Sequence, residues 1–426
     1  MTAWEIRPLA EVCAIKPPKA EARARLASDR EVSFAPMDVL GIDAKFMAPT
    51  AVRPLAEVSG SYTYFAEGDV LVAKITPCFE NGKLGIAKGL VNGVGFGSSE
   101  FIVIRPGSKL DREFLYYYLY RPEFREVGAR TMTGAVGHKR VAADFIEQLP
   151  IPIPPILEQR RIVAILDEAF DAIATAKANT NKNLRNAHEL FDSHLQTVFT
   201  QGTAGWSTTT VRQLVHDGIL MKPQDGNHGE IHPTRADYVD AGVPFIMAAD
   251  LVDGKVDTQN CRFIADTTAR GLRIGFAKTG DVLLSHKGTI GRVAILESND
   301  DYVVLTPQVT YYRTLDDSRL FNGFLYYCLR SPRFQSEMNR IAGAGSTRAY
   351  IGITRQLDLQ IDLPPIVAQH ELVSQLRHSE DVSSGIGDRY VRKLAALEEL
   401  KKSLLHQAFT GKLTAKNTDK QLEAVA

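Results

Sequence analysis

The stretch LPIPIPPILEQRRIVAILDEAF, from Leu149 to Phe170, decides the fold because a second copy, IDLPPIVAQHELVSQL, follows from Ile361 to Leu376. In each copy an extended apolar run ends in two prolines, which fix φ and keep the preceding residue out of the helical region. An amphipathic pattern begins immediately afterwards, with Ile162 and Leu166 on its apolar face. Each copy therefore predicts a strand that ends at Pro-Pro and leads directly into a helix.

The two copies belong to a longer repeat. Matched residues differ by 210 positions, as in Gln159 and Gln369, and the same offset relates Leu115 to Leu325 upstream and Phe199 to Phe409 downstream. A period of this length is far too long for a solenoid. The chain therefore contains one unit written twice, which predicts two pseudo-symmetric lobes.

Composition bounds the class of protein. A chain of 426 residues is long enough for two domains, and its 44% apolar and 23% charged residues are typical of a soluble globular protein. It contains neither a signal-peptide core nor an apolar run near the roughly 20 residues of a membrane span, so we expect a cytoplasmic protein without a membrane partner. The four separated cysteines argue against a zinc site or disulfides, and the zero net charge requires any DNA-binding surface to be local.

Two long helices are predicted from apolar periodicity. The first, Ile156 to Gln201, contains no proline or glycine, and the second runs from Ile366 to Phe409. Ser383, Ser384, Gly385 and Gly387 lower helix propensity in the second, so a kink or break is expected there. Neither helix can bury its apolar stripe alone, and the simplest arrangement is an antiparallel pair.

The fold class is therefore α+β, with two lobes built on strands and separated by two long helices. The aromatic run from Arg112 to Phe124 is interpreted as one helix packed on the sheet of its own lobe, with base stacking as the lesser alternative. The predicted parts are a first lobe at 1–155, a central helix at 156–202, a second lobe at 203–365, a C-terminal helix at 366–413 and a flexible tail at 414–426.

The sequence contains no catalytic motif. A GxxxxGK phosphate loop, an HExxH zinc motif and the Pro-Pro-aromatic motif of adenine methyltransferases are all missing. Glu399 and Lys401 have a spacing found in nucleases but lie on a charged helix face, and His228 and His232 are interpreted as exposed loop residues rather than metal ligands. We expect a non-catalytic chain that holds no cofactor or metal.

Two recurring segments resemble a binding surface more than they resemble ordinary loops. One follows a Gly-Asp-Val turn, at 68–83 and 280–292, and the other is a glycine-rich turn at 133–141 and 342–351. Glycine permits a close approach of the backbone to phosphate, and basic side chains supply donors to phosphate or guanine. The residues expected to contact DNA are Lys74, Thr76, Lys83, Lys139, Arg140, Ser285, His286, Lys287, Arg348 and Tyr350. A solvated loop is the alternative for each segment taken singly.

The repeated segments PPILEQRRIV and PPIVAQHELV, the closing SLLHQAFTGKL, the GDVL turns and the GHKRV turn together resemble the specificity subunit of Type I restriction-modification systems. The resemblance covers essentially the whole chain. It implies two target recognition domains held apart by two antiparallel helices, which act as a coiled-coil spacer. Each lobe would read one half of a bipartite asymmetric site in double-stranded DNA, and the helices would set the number of unread base pairs between them.

The resemblance also implies partners. Two modification subunits, which bind S-adenosylmethionine and flip adenine, would dock on the helices, and restriction subunits would use ATP and magnesium. No cofactor is implied in this chain itself. The residues expected in docking or in the helix pair are Gln159, Arg160, Arg161, Ile162, Leu166, Gln369, Leu394 and Leu397.

Two other interpretations remain open at this stage. One is a non-catalytic protein-interaction scaffold, or a degenerate specificity subunit that no longer reads DNA. The other is a self-contained nuclease or methyltransferase, which the missing motifs disfavour.

The segments 29–59 and 218–269 show no mutual similarity, as expected if the lobes read different half-sites.

Overall fold

The computed structural model describes residues 4–135, 137–201, 205–343 and 350–415. The chain divides into two compact units, one formed by Met1–Asn181 with Arg392–Ala426 and the other by Lys182–Val391. Each unit contains one lobe together with part of both long helices. The mixed α+β class with two lobes and two long helices, predicted from the repeat, is confirmed.

The first unit contains three sheets. Its strands are β1 (Glu5–Pro8), β2 (Cys13–Ile15), β3 (Glu31–Ala35), β4 (Phe46–Met47), β5 (Ala51–Pro54), β6 (Thr63–Ala66), β7 (Val70–Ala73), β8 (Leu84–Ala87), β9 (Val94–Gly97), β10 (Phe101–Pro106) and β11 (Pro150–Ile153). The strand orders are β2-β10-β7-β8-β4, β5-β3-β9-β6 and β1-β11. Helices accompany them at α1 (Leu9–Val12), α2 (Ala20–Arg25), α3 (Leu55–Val58), α4 (Arg112–Tyr120), α5 (Pro122–Arg130), α6 (Ala143–Glu147) and α7 (Ile156–Gln201).

The second unit repeats this plan with additions. Its strands are β12 (Ser207–Thr210), β13 (Gln224–Asp225), β14 (Tyr238–Val239), β15 (Val243–Ile246), β16 (Leu251–Val252), β17 (Lys255–Val256), β18 (Arg262–Ile264), β19 (Phe276–Ala277), β20 (Val282–Ser285), β21 (Val293–Ile295), β22 (Val303–Leu305), β23 (Val309–Tyr312) and β24 (Gln360–Leu363). They order as β13-β23-β20-β21-β17-β16, β14-β18-β15-β22-β19 and β12-β24. Its helices are α8 (Val211–His216), α9 (Asp266–Arg270), α10 (Asn322–Arg330), α11 (Pro332–Ala342), α12 (Ile353–Gln356) and α13 (Ile366–Phe409).

The Gly-Asp-Val turns have a structural role in both units. Asp69 accepts a hydrogen bond from the backbone N–H of Ala66 at 2.8 Å and is paired in two places with Arg105, at 2.7 and 2.8 Å. Asp281 accepts a hydrogen bond from the backbone N–H of Lys278 at 2.7 Å and is paired in two places with Arg313, at 2.8 and 2.7 Å. Bidentate pairs of this kind fix geometry strongly, so these turns anchor β7 to β10 and β20 to β23.

The aromatic helices pack on the sheets of their own lobes, which confirms the preferred interpretation of the tyrosine run. Phe114 and Tyr117 of α4 are almost fully buried, as are Phe324 and Tyr327 of α10. The run from Arg112 to Phe124 is not a single helix, however, because α4 ends at Tyr120 and α5 begins at Pro122. Proline forces the residue before it out of the helical region but is well suited to the first turn of a new helix.

The two long helices run antiparallel within each unit, as predicted. In the first unit, the Nζ of Lys401 lies 5.4 Å from the ring of Phe170, and Lys177 forms an ion pair with Glu398, so positions rise on α7 as they fall on α13. Ile162 and Leu166 join the first core together with Leu405. Phe191 and Leu195 join the second core together with Val373 and Leu376.

The expected break in α13 does not occur, because the helix runs without interruption from Ile366 to Phe409. Ser383 is buried and its hydroxyl donates to the carbonyl of Ala187 in α7. A Cβ placed on Gly387 would lie 3.6 Å from Leu184 of α7. The small side chains therefore allow the two helices to approach, and this packing outweighs weak helix propensity.

The predicted tail at 414–426 falls mostly outside the described residues. Residues 412–415 are helical and Thr414 is 4% exposed, so the first two tail positions are packed rather than flexible. The ring of Trp4 lies against Gly411, 3.5 Å from an added Cβ. The packed segment of the first unit thus extends at least to Ala415.

Candidate nucleic-acid interface

The two recurring segments predicted as a binding surface meet in each unit, on a common backbone framework. In the first unit, the N–H of Lys74 donates to the carbonyl of Glu100 at 2.9 Å, and the carbonyl of Lys74 accepts from Val141 at 2.9 Å. In the second, the backbone N–H of His286 donates to the carbonyl of Gln308 at 2.9 Å, and the carbonyl of His286 accepts from the N–H of Ile351 at 3.0 Å. The segment after the Gly-Asp-Val strand and the glycine-rich turn are therefore joined at the end of the same sheet in both lobes.

In the first lobe, charged side chains occupy the place where the two segments meet. The guanidinium of Arg140 donates twice to the carboxylate of Glu100, at 2.9 and 2.8 Å, and the Nζ of Lys74 lies 4.0 Å from the same carboxylate while donating to the carbonyl of Ser99 at 2.8 Å. Burial lowers the pKa of Lys74, and the hydrogen bond from Arg140 lowers the pKa of Glu100. Two cations held around one carboxylate leave a net positive charge with fixed donors, which suits phosphate.

The other predicted residues of this lobe occupy different environments. Lys139 is exposed, and its carbonyl accepts from the hydroxyl of Thr76 at 3.3 Å. Lys83 is half-buried and donates to the carbonyl of Met37 at 3.0 Å. Lys139 and Arg140 are thus available at the surface, whereas Lys83 holds a neighbouring loop.

The second lobe presents different side chains on the same framework. Ser285 and His286 are both fully buried. The hydroxyl of Ser285 accepts from the backbone N–H of Arg292 at 2.9 Å, and the imidazole of His286 donates through Nδ1 to the carbonyl of Ile351 at 2.9 Å. Both side chains thus bond the backbone of their own lobe, which fits a role in holding Arg292 and Ile351 in place.

The exposed predicted residues in this lobe are Lys287 and Tyr350. They form a backbone bridge, and the Nζ of Lys287 lies 6.0 Å from the centre of the Tyr350 ring, which is 45% exposed. Arg348, also predicted to contact DNA, lies outside the described residues. Lys287 and Tyr350 together give this lobe a cation beside an aromatic face, a pairing suited to nucleic acid.

A cavity of about 400 Å³ adjoins Lys287 in the second lobe, and most of its polar lining was missed in the sequence. His228, His232, Thr306 and Gln308 line it. Asp225 lies behind, accepting from the Nε2 of His228 at 2.8 Å. Thr306 and Gln308 precede β23 as Ser98 and Glu100 precede β10, so alignment of the two lobes through the Gly-Asp-Val strands would have identified them.

The predicted helix residues divide into buried and exposed sets. Gln159 and Gln369 are fully buried, and each joins its helix to the loop before the aromatic helix. The Oε1 of Gln159 accepts from the N–H of Asp111 at 2.7 Å, while its Nε2 donates to the carbonyls of Lys109 and Pro154 at 2.9 and 2.8 Å. Gln369 repeats all three bonds with Phe321, Arg319 and Pro364, each at 2.9 Å.

The remaining predicted helix residues differ in how deeply their side chains are buried. Ile162 and Leu166 are fully buried, whereas Leu394 and Leu397 are only half-buried. Arg160 is exposed and lies 3.8 Å from Asp111, while Arg161 is half-buried. The sequence missed two exposed apolar residues at matching places, Leu157 at 76% and Val367 at 67% exposure, each the second residue of its helix.

No group of three or more His, Cys, Asp or Glu side chains within the described ranges could hold a metal ion. Among the helices described, none is both long and apolar enough to cross a membrane.

Known proteins that match part of this chain include specificity subunits of Type I restriction enzymes. Residues 1–186 match the family model described as the Type I restriction modification DNA specificity domain. The chain is 33% identical over 250 residues to the Type I restriction enzyme EcoAI specificity subunit of Escherichia coli, a match covering 53% of this chain and 41% of that protein. It is 41% identical over 162 residues to the EcoEI specificity subunit of the same species, covering 38% and 26%. The chain therefore matches less than half the length of either relative.

Solved structures with the same fold cover nearly the whole chain. A chain from a structural study of complex assembly and conformational transition of the type I R-M system superposes with a TM-score of 0.77 at 19% identity, covering 97% of this chain and 99% of that one. The HsdS subunit of Thermoanaerobacter tengcongensis gives a TM-score of 0.61 at 19% identity, covering 97% and 98%. At this identity the likeness establishes the fold alone.

Proposed function

We propose that this chain is a member of the family of Type I restriction-modification DNA specificity subunits and that it is the non-catalytic subunit that recognises DNA in such a complex. Each lobe would read one half of a bipartite asymmetric site in double-stranded DNA. Because the chain matches only 41% of the EcoAI relative and 26% of the EcoEI relative, the activity is inferred from the family together with the geometry of the site.

The observation that carries the proposal is the repeated framework with unlike side chains. Glu100 and Arg140 in the first lobe are replaced at equivalent backbone positions by Gln308 and Tyr350 in the second. Retained backbone geometry with changed hydrogen-bonding groups is what two readers of different sequences require, since base edges are distinguished by their donors and acceptors.

We further propose that two modification subunits and the restriction subunits assemble on this chain, and that the assembly is cytoplasmic. S-adenosylmethionine would bind the modification subunits, and ATP with magnesium would bind the restriction subunits, so this chain would need no cofactor of its own. The exposure of Leu157 and Val367 at matching positions of the repeat supports two equivalent docking places, because the same apolar feature occurs once in each copy.

The long helices would set the interval between the half-sites. Both α7 and α13 contribute residues to both units, as a common element between two readers would. An α-helix rises about 1.5 Å per residue and B-DNA about 3.4 Å per base pair, so helix length is a natural measure of unread sequence.

The deciding experiment is co-expression of the full chain with its modification subunit in a host that lacks adenine methylation, followed by genome-wide mapping of methyladenine. A single bipartite asymmetric motif, methylated on both strands, is expected. A stable complex that methylates nothing would favour the scaffold or the degenerate subunit instead. Methylation by the modification subunit alone would remove the need for this chain as reader.

A further inference from the structure

The second lobe contains a concavity beside the repeated framework. The cavity of about 400 Å³ is bordered by His228, His232, Lys287, Thr306 and Gln308. His228 and His232 flank a short 3-10 turn, Gly229–Ile231, while Thr306 and Gln308 lie between β22 and β23. The cavity thus adjoins the repeated framework, on the side of the exposed cation Lys287.

Two polar atoms at this cavity have no hydrogen-bond partner within the described part of the chain. They are the Nδ1 of His232 and the Oγ1 of Thr306, and Thr306 is only 6% exposed. A third such atom, the Nε2 of His286, lies behind the cavity, 3.7 Å from the carboxylate of Asp225. Buried polar atoms are almost always hydrogen-bonded in native proteins, and exceptions point to a missing partner.

The equivalent residues of the first lobe are satisfied. The N–H of Ser98 donates to Ala35 at 3.1 Å as that of Thr306 donates to Ile246 at 3.0 Å, so the two residues hold the same backbone position. The hydroxyl of Ser98 accepts from the N–H of Glu100 at 3.2 Å, and Glu100 is held by Arg140. In the second lobe the hydroxyl of Thr306 has no such partner within the described residues.

The chemistry of the cavity favours an uncharged, hydrogen-bonding ligand. Burial lowers the pKa of His232, which favours the uncharged ring, and that ring can exchange a hydrogen bond. A threonine hydroxyl and a glutamine amide add both donors and acceptors. Lys287 alone supplies a positive charge at the edge, which matches a base with its adjoining phosphate.

We propose that this cavity is where the second lobe reads a base of its half-site, with His232 and Thr306 hydrogen-bonding the base edge and Lys287 contacting the flanking phosphate. This assignment rests on the proposed function, because it names residues that determine specificity at the same surface. Under this assignment the second lobe would recognise its half-site through uncharged side chains, and the first lobe would do so through a network of charged side chains.

Substitutions that remove polarity but keep shape test the proposal. Thr306→Val and His232→Phe would be prepared in the full chain, complexed with the modification subunit, and measured for binding to a panel of duplexes that vary each position of the mapped site. Discrimination is expected to fall by about 10-fold or more at a position of one half-site, with the other half-site unchanged. Thr267→Val, an exposed residue of the same lobe, is the matched control.

Lys287→Ala distinguishes phosphate contact from base reading. It is expected to weaken binding to all duplexes about equally and to reduce the log-log salt slope by about one, whereas Thr306→Val leaves that slope unchanged. Melting temperatures of the variants establish that they fold, and if His232→Phe does not, Thr306→Val alone decides.

The outcomes separate this inference from the function on which it rests. Wild-type discrimination at every position in Thr306→Val, with the wild-type complex binding a bipartite site, would overturn the cavity assignment alone. A wild-type complex that binds no bipartite site would overturn the proposed function as well.

Discussion

At the scale of single residues, His286 connects the binding surface to protein stability. Its imidazole is fully buried, donates to the carbonyl of Ile351 at 2.9 Å and leaves Nε2 unpartnered. Burial lowers its pKa below the ordinary 6.5, because charging the ring in the interior is unfavourable. The folded chain therefore resists a proton that the unfolded chain accepts.

The sign of the pH dependence follows from that difference. Below about pH 6.5 the unfolded state binds a proton that the folded state does not, so the free energy of unfolding decreases as the pH falls. The melting temperature of the wild-type chain should drop between pH 7.5 and 5.5, and His286→Gln, which keeps a donor for Ile351 but cannot titrate, should drop less. Equal drops in the two proteins would contradict the assignment.

The residues of the site were predicted unevenly. Lys139, Arg140 and Lys287 were recognised because basic residues beside glycine turns suit phosphate. Glu100 and Thr306 were missed, since an acidic or hydroxyl residue before a strand is usually a solvated turn. The position of Ser285 and His286 at the end of a strand was predicted correctly. Whether their side chains face the core or the solvent depends on tertiary packing, which the sequence does not specify.

At the scale of elements, Gln159 and Gln369 explain why the Pro-Pro-helix segment is repeated so faithfully. Each buried side chain bonds one N–H and two carbonyls, and so ties the start of a long helix to the loop before an aromatic helix. They were expected in docking or in the helix pair, and their burial gives them the structural role.

Gln159→Leu keeps the approximate volume but leaves buried backbone groups without partners. Each group left unsatisfied costs about 1–3 kcal/mol, so a loss of at least that amount in the free energy of unfolding of the first unit is expected. Urea unfolding of the full chain would measure it, with Gln196→Leu on the exposed face of α7 as the control. An unfolding midpoint equal to that of the control would exclude the proposed role.

The middle of α13 offers an opposite test. Gly385 is helical and exposed, and an added Cβ would meet nothing within 4 Å. Alanine there should raise the free energy of unfolding by about 0.5–1 kcal/mol, because glycine is the poorer helix former. Ser383→Leu, at a buried contact with Ala187, should lower it, and thermal unfolding of both variants would show whether packing or propensity keeps this helix intact.

Element existence was predictable and element boundaries less so. Both long helices were predicted with their observed starts at Ile156 and Ile366, and with ends near the observed Gln201 and Phe409, because no proline interrupts them. Two features of the helices were not predicted. One is the division of the aromatic segment into α4 and α5, which depends on the backbone restriction that Pro122 places on the residue before it. The other is the continuity of α13 through Ser383, which depends on a tertiary contact.

At the scale of the whole molecule, the repeat predicts that partners bind in equivalent pairs. Leu157 in the first unit and Val367 in the second are both exposed second residues of long helices. Leu157→Glu and Val367→Glu should each reduce the modification subunits bound per chain from two to one, and the double variant should bind none. Native mass spectrometry would count them.

The control for this stoichiometry is Val127→Glu, an exposed apolar residue of α5 at 50% exposure. It should retain both modification subunits, because residue 337, its counterpart in the repeat, is Glu. Two subunits bound to the double variant would place docking elsewhere on the chain.

The sequence repeat specified two lobes but not how each compact unit is assembled. Apolar periodicity identifies a helix stripe, yet it does not name the partner that covers the stripe. The correspondence between β3 with β9 and β15 with β22, both parallel pairs, lies partly in segments without visible similarity, since backbone pairing tolerates almost complete exchange of side chains.

The division of the chain into units has a consequence for biosynthesis. The second unit is continuous, Lys182–Val391, whereas the first requires Arg392–Ala426, whose Leu405 and Phe409 enter its core. During translation the second unit can therefore complete its folding while the first still exposes apolar surface, although the first begins to emerge earlier. The nascent first lobe would be the part most dependent on chaperones, and pausing before codon 392 would prolong that exposure.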